Sequence, residues 1–135
     1  MVFRPETAPA AAGPQPPGGI DYRLARNAVV RAFNRGRLSR ADICDAHPEL
    51  LRVAQNFGQP SAEACPICSG SSLVNVSYAF GPRLPPGGRC VESSEQLANL
   101  AARAARLACY VVEVCPDCSW NHLRQMFVVG GSSPS

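Results

Sequence analysis

Residues 109–130 read CYVVEVCPDCSWNHLRQMFVVG, and this stretch decides the fold. Tyr110, Val112 and Val114 alternate with Val111 and Glu113 up to Cys115, the period-two pattern of a strand. HLRQMFVVG, beyond the loop, reads as another strand. Between them Cys115-Pro-Asp-Cys118 makes a turn that carries two thiols. A CxxC turn beside a strand is the building unit of a zinc ribbon, and it needs a second pair of sulfurs to close its metal site.

That pair lies upstream. Cys65-Pro-Ile-Cys68 repeats the internal spacing, and residues 69–114 separate the two turns. One CxxC turn points both sulfurs at one ion and leaves half a tetrahedron open. A second completes it with thiolates, which borderline-soft zinc accepts at closed structural sites. Proline after the first cysteine stiffens each turn, and other turn amides remain to donate to the sulfurs. Cys65, Cys68, Cys115 and Cys118 are therefore the expected ligands of one zinc ion per chain. Four thiolates also hold iron in rubredoxin-like proteins, and spacing does not separate the two metals. The non-acidic chain with few aromatics places zinc ahead of iron. A closed four-thiolate set leaves no position for water, so it is scaffold rather than catalyst. A thioredoxin-like dithiol fits less well, because it places one CxxC at a helix N-terminus.

Working outward, SLVNVSYAF (72–80) sets Val74, Val76, Tyr78 and Phe80 against Leu73, Asn75, Ser77 and Ala79, a half-buried strand. GPRLPPGGRC is a loop that proline and glycine hold out of regular structure. SSEQLANLAARAARLA (93–108) has a serine cap and places Leu97, Leu100, Ala101, Ala104 and Leu107 on one helical face. Upstream, DYRLARNAVVRAFNRG opens with Asp21 as a cap. It gathers Tyr22, Ala25, Val29, Ala32 and Phe33 on one face and stops at Gly36. Ser39 and Asp42 form a relative of the capping box for a short helix through Cys44. Pro48 sits in the first turn of a third helix that Gly58 ends.

The expected class is α+β: a zinc-ribbon-like small antiparallel sheet with one inserted helix, preceded by an N-terminal helical segment. The divisions are a disordered Ala/Pro/Gly tail over 1–19, a helical segment with a basic first helix over 20–60, a zinc-ribbon-like domain over 61–130, and a disordered end over 131–135.

Charge and composition limit the function classes. The chain has 135 residues, a formal net charge of +3 and thirteen basic residues, every one arginine. Residues 20–60 hold the basic excess, including Arg23, Arg26, Arg31, Arg35, Arg37 and Arg40. Attraction to a polyanion therefore belongs to the N-terminal half. The first candidates for a partner-facing surface are Arg23, Arg26, Arg31 and Arg35, with Trp120 and His122 at the exit of the second knuckle. No run of apolar residues is long enough for a membrane span, and the first nineteen residues lack the apolar core of a secretory signal. A cytoplasmic location is expected, where seven cysteines argue for metal or redox chemistry before disulfides.

Other residues invite plainer readings. His122 is expected to hydrogen-bond or pack, and Trp120 to cover the metal loop. Cys44-Asp-Ala-His47 has metal-like spacing, yet no second pair stands near it in sequence. A structural cysteine and a helix-capping histidine are the better assignment. Cys90 and Cys109 read as small hydrophobes. Glu113 shares a strand face with Cys109 and Val111 and is expected to pair with an arginine such as Arg124. No catalytic constellation, phosphate-cradling loop or nucleophile elbow is found, so neither an enzyme nor a small-molecule substrate is expected.

CPDCSWNHL, the preceding YVVEVC and the earlier ICDAHPELLRVAQNFGQPS together resemble a small actinobacterial family classed as a domain of unknown function. The resemblance covers roughly residues 20–129. It implies the fold outline and a bacterial cytoplasmic setting, with no assigned activity. The family usually has glycine after the second knuckle, implying a left-handed turn where this chain has Ser119. The expected function is a non-enzymatic zinc-ribbon binding module whose partner is protein or nucleic acid, by analogy with ribbons of the transcription and translation machinery. The alternative is an iron-bearing electron carrier or a thiol redox sensor.

Overall fold

The structure is a computed structural model that describes residues 19–103 and 106–129. The expected tails, 1–19 and 131–135, lie outside the described residues except for Gly19. Along the chain run β1 (Gly19–Asp21), α1 (Arg23–Asn34), α2 (Arg40–Ile43), α3 (Pro48–Phe57), β2 (Gln59–Ala64), β3 (Ser72–Phe80), β4 (Arg89–Val91), α4 (Ser94–Arg103), β5 (Leu107–Val114) and β6 (Asn121–Val129). The class is α+β, as expected.

All strand pairs are antiparallel and form one sheet in the order β1-β6-β5-β3-β2, with β4 pairing the opposite end of β3 from β2. The central strands β3, β5 and β6 are those that alternation announces. β1, β2 and β4 are additions to the expected sheet. Their segments lack an apolar period: β2 is QPSAEA, almost wholly exposed, and β4 overlaps the end of the expected loop at Arg89 and Cys90. Such strands are ordered by the backbone partners that a neighbouring strand offers, and an edge position tolerates Pro60.

The local signals hold elsewhere. Ser39 and Asp42 make both arms of a capping box at α2. The α1 terminus closes with Arg37 N–H on Ala32 O and Gly36 N–H on Phe33 O, Gly36 being left-handed at φ 75°. His47 caps α3, its Nδ1 accepting from Glu49 N–H at 3.0 Å, and Pro48 fills the first turn. Two expectations shift. Asp21 belongs to β1, although its carboxylate still accepts from Arg23 N–H at 2.8 Å. Leu107 and Ala108, expected on the inserted helix, begin β5 opposite Val129 and Val128. There a ladder of inter-strand hydrogen bonds overrides the helix propensity of the alanine-rich run.

Each sheet face has its own cover. α3 lays Leu50 and Ala54 against Val76, Val112, Val114 and Leu123. At the knuckle end of the opposite face, Leu73 and Trp120 pack with Ile43 of α2 and Val29, Val30 and Phe33 of α1. Ala25, expected on the buried line of α1, is exposed, and Val30 takes part instead. Full burial of Leu73 and Trp120 contributes about 1.5–3 kcal/mol for an aliphatic side chain and more for the larger indole. The N-terminal helices are thus built into the core around the knuckles, and β1 extends the same sheet through β6.

Candidate metal centre

The two CPxC turns are built alike. In the first, Cys65 N–H donates to Ser71 O at 2.8 Å and Ser69 N–H to Cys65 O at 3.1 Å. In the second, Cys115 N–H donates to Trp120 O at 2.8 Å and Ser119 N–H to Cys115 O at 3.0 Å. The extra residue, Gly70, accounts for the one-position difference in closure. Ser69 and Ser119 both adopt the left-handed region, at φ 58° and 71°. The left-handed turn that the resemblance implies after the second knuckle is therefore made here on serine. The Ser71 hydroxyl donates to the Asp117 carboxylate and ties the turns to each other.

This geometry brings one sulfur from each of Cys65, Cys68, Cys115 and Cys118 within 4.8 Å of all the others. The closest cross-knuckle approaches are 3.6 Å for Cys65–Cys118 and 3.7 Å for Cys68–Cys115. These are the separations of sulfurs on the corners of one tetrahedron with metal–sulfur bonds of about 2.3 Å. Cys65 and Cys115 are buried, whereas Cys68 and Cys118 are half-buried. The amides of Ile67 and Cys68 lie 3.4 and 3.5 Å from Cys65 Sγ, and that of Cys118 lies 3.5 Å from Cys115 Sγ. The Gly70 amide chiefly pulls the Cys68 thiol down to about 7. Burial pushes the Cys115 and Cys118 thiols up. Inward-pointing amides spread thiolate charge, and four thiolates at this spacing can hold a metal ion.

Behind the second knuckle lies a buried carboxylate. Glu113 is fully buried and accepts from Trp120 Nε1 at 2.7 Å, Arg26 Nε at 3.1 Å and Arg124 Nη1 at 3.4 Å. Arg124, at the irregular step between Val111 and Val112 in the β5–β6 register, also reaches Glu63 at 2.9 Å. The expected Glu113–Arg124 pair is present, but Arg26 is the closer guanidinium. Two members of the proposed partner surface are consequently placed elsewhere. Arg26 is turned inward because a buried carboxylate requires a cation, and Trp120, 1% exposed, is a cover for the centre. His122 lies outside the sulfur cluster, with Nδ1 2.7 Å from Leu123 O and its ring stacked on Trp120 at 6.0 Å. A recess of about 500 Å³ opens beside this network, lined in part by Arg23, Arg26, Arg124, Asp21, Glu63 and Glu113. The three arginines are ion-paired to the three acids.

The remaining arginines of the basic segment face outward. Arg23 pairs with Asp21 at 3.1 Å. Arg31, Arg35 and Arg37 are exposed and, among the described residues, make no ion pair. Leu24, 83% exposed, lies on the same helix.

Residues 17–135 match the Family of unknown function (DUF5318). The chain belongs to that family. Uncharacterized protein Rv0049 of Mycobacterium tuberculosis (strain ATCC 25618 / H37Rv) is 40% identical over 116 residues, covering 86% of this chain and 85% of the relative. Uncharacterized protein Mb0050 of Mycobacterium bovis shows the same identity and coverage. No solved structure matches. Among the described residues no helix is long and apolar enough to cross a membrane.

Sequence reasoning missed one member of the neighbourhood. Cys44 places its sulfur 3.7 Å from that of Cys118. Seventy-four positions separate the two cysteines, so local spacing carried no signal of it. Cys109 and Cys90 behave as the small hydrophobes expected: burial pushes the Cys109 thiol up to about 11 and raises that of Cys90.

Proposed function

We propose that the protein is a non-enzymatic binding module whose C-terminal half is fastened by one zinc ion on Cys65, Cys68, Cys115 and Cys118. The single observation that carries it is the convergence of those four sulfurs within 4.8 Å. Four thiolates fill a tetrahedron, and a filled tetrahedron offers no position to a substrate or an activated water. The ion then acts through folding, with apparent binding energies of about 10–16 kcal/mol for structural zinc.

Binding is assigned to the outward face of α1. Arg31 and Arg35 with nearby Arg37 form a cationic surface, and Arg23 extends it. Such a surface suits the phosphates of a nucleic acid or an acidic protein patch. The setting is the cytoplasm, where the thiols remain reduced, and the partner belongs to the transcription or translation machinery. Affinity capture from the native host, with and without nuclease and with metal measured on the same preparation, tests this. Recovery of nucleic acid, or of a defined acidic partner whose capture falls as salt rises, supports the reading. Capture insensitive to both salt and the combined Arg23→Ala, Arg31→Ala and Arg35→Ala changes would remove the basic surface from it. Visible absorbance from bound iron would replace zinc with the electron-carrier alternative.

A further inference from the structure

The four ligand sulfurs have a fifth thiol beside them. Cys44 follows the last turn of α2, and its S–H donates to Cys118 Sγ at 3.7 Å. That is the distance separating Cys68 from Cys115 within the ligand set. Cys44 is not one of the four mutually clustered sulfurs, so the ion leaves its thiol free to react. Its approach is held by two tethers across the same junction. Ala46 N–H donates to Ser119 O at 3.1 Å, and Asn121 Nδ2 donates to Asp45 Oδ1 at 3.1 Å. Cys118 is half-buried, in contrast to the enclosed Cys65 and Cys115.

We propose that Cys44 and Cys118 form a thiol modification site, at which a hydroperoxide closes a disulfide between them and opens the metal centre. This rests on the reading that the four thiolates hold zinc. The Cys118 thiolate attacks one peroxide oxygen; the O–O bond breaks, and the departing hydroxide takes a proton from solvent. Cys118 is then a sulfenic acid. Cys44 attacks its sulfur, the S–O bond breaks, and the leaving hydroxide takes the Cys44 proton as water. Two sulfurs have together lost two electrons, and hydrogen peroxide has become two waters. The sulfurs approach by roughly 1.6 Å to reach a bond of about 2.05 Å. Three thiolates remain, an incomplete set that cedes its ion to a chelator, and dithiol reduction restores the fourth.

The test uses the full-length zinc-loaded chain and hydrogen peroxide, with zinc release followed by a chromogenic chelator and disulfides mapped by mass spectrometry after thiol alkylation. The wild type is expected to release one zinc with a Cys44–Cys118 crosslink, and to take zinc up again after reduction. Cys44→Ser, checked for full zinc content before oxidation, is expected to release zinc about tenfold more slowly and to accumulate overoxidised Cys118. Cys44→Ala serves equally if the serine variant folds poorly. Release from a zinc-loaded Cys44 variant at the wild-type rate, or crosslinks only within the two CPxC turns, would overturn the proposal and leave the zinc site standing. A wild-type chain that neither carries nor binds zinc would overturn both.

Discussion

The indole N–H of Trp120 donates to the carboxylate of Glu113 at 2.7 Å, although neither side chain is exposed to water. Trp120 is also the residue whose carbonyl closes the second knuckle on Cys115 N–H. One residue therefore links the metal turn to a buried ion network that reaches α1 through Arg26 and β2 through Arg124 and Glu63.

Removing the charge at that junction should be costly. In Glu113→Gln the inward-facing Arg26 loses its counter-ion, and breaking a buried pair typically costs about 3–5 kcal/mol. Trp120→Phe keeps most of the packing but removes one donor to Glu113, for a loss of about 1–3 kcal/mol. Urea denaturation of the zinc-loaded protein checks both, and a loss below about 0.5 kcal/mol for Glu113→Gln would show that the network is not structural.

Metal removal should unfold the C-terminal half. Elemental analysis is expected to give one zinc per chain, and Cys65→Ser or Cys115→Ser to abolish it. The binding energy forfeited, about 10–16 kcal/mol, matches or exceeds the usual net stability of about 5–15 kcal/mol. Circular dichroism during chelation follows the transition. Retention of the native spectrum and full metal by Cys65→Ser would break the ligand assignment.

Ser119 and Ser69 hold left-handed backbone without being glycine. Ser119→Gly relieves that cost and should stabilise the protein by about 0.5–1 kcal/mol, after allowance for the greater freedom of glycine in the unfolded chain. Thermal melting of metal-loaded protein measures it. A fall in melting temperature would mean that the serine side chain supports the turn.

At alkaline pH the burial of Tyr78 and Cys109 becomes a liability. Burial pushes the Tyr78 hydroxyl up from 10.0 to about 12 and the Cys109 thiol up from 9.0 to about 11. Both are neutral when protonated, and both titrate higher in the folded chain than in the unfolded one. Their contribution is therefore complete below pH 9 and is lost as pH rises through about 11 and 12. Urea midpoints should fall across that window, and Cys109→Ala with Tyr78→Phe should flatten the fall. An unchanged slope in the double variant would assign the alkaline loss to other groups.

The binding surface has its own signature. If α1 meets phosphate, the logarithm of affinity for single-stranded RNA should fall linearly with the logarithm of salt. Each of Arg31→Ala and Arg35→Ala should then lower the slope by about 0.7. Fluorescence anisotropy across a salt series measures this, and slopes indifferent to both changes would move the contact off α1.

What the sequence legibly carried was local. Two CPxC turns, alternation over 72–80 and 109–114, the Ser39–Asp42 box and the His47–Pro48 start all act within a few residues, so spacing alone exposes them. The same reach explains the errors at Leu107 and Ala108, where an alanine-rich helical pattern met a strand position fixed by Val128 and Val129. β2 and β4 escaped for a related reason: their side chains carry no period, and only backbone partners order them.

The four cysteines that cluster and the class of fold were determined by sequence, since a CxxC turn aims its two sulfurs whatever surrounds it. Tertiary structure alone decided that Arg26 neutralises Glu113 from 87 positions away, and that Cys44 stands against Cys118 across 74. Such meetings depend on how distant segments close on one another around the sheet. A buried carboxylate or a reactive thiol is defined by what lies beside it in space, and no pattern of chain neighbours encodes that.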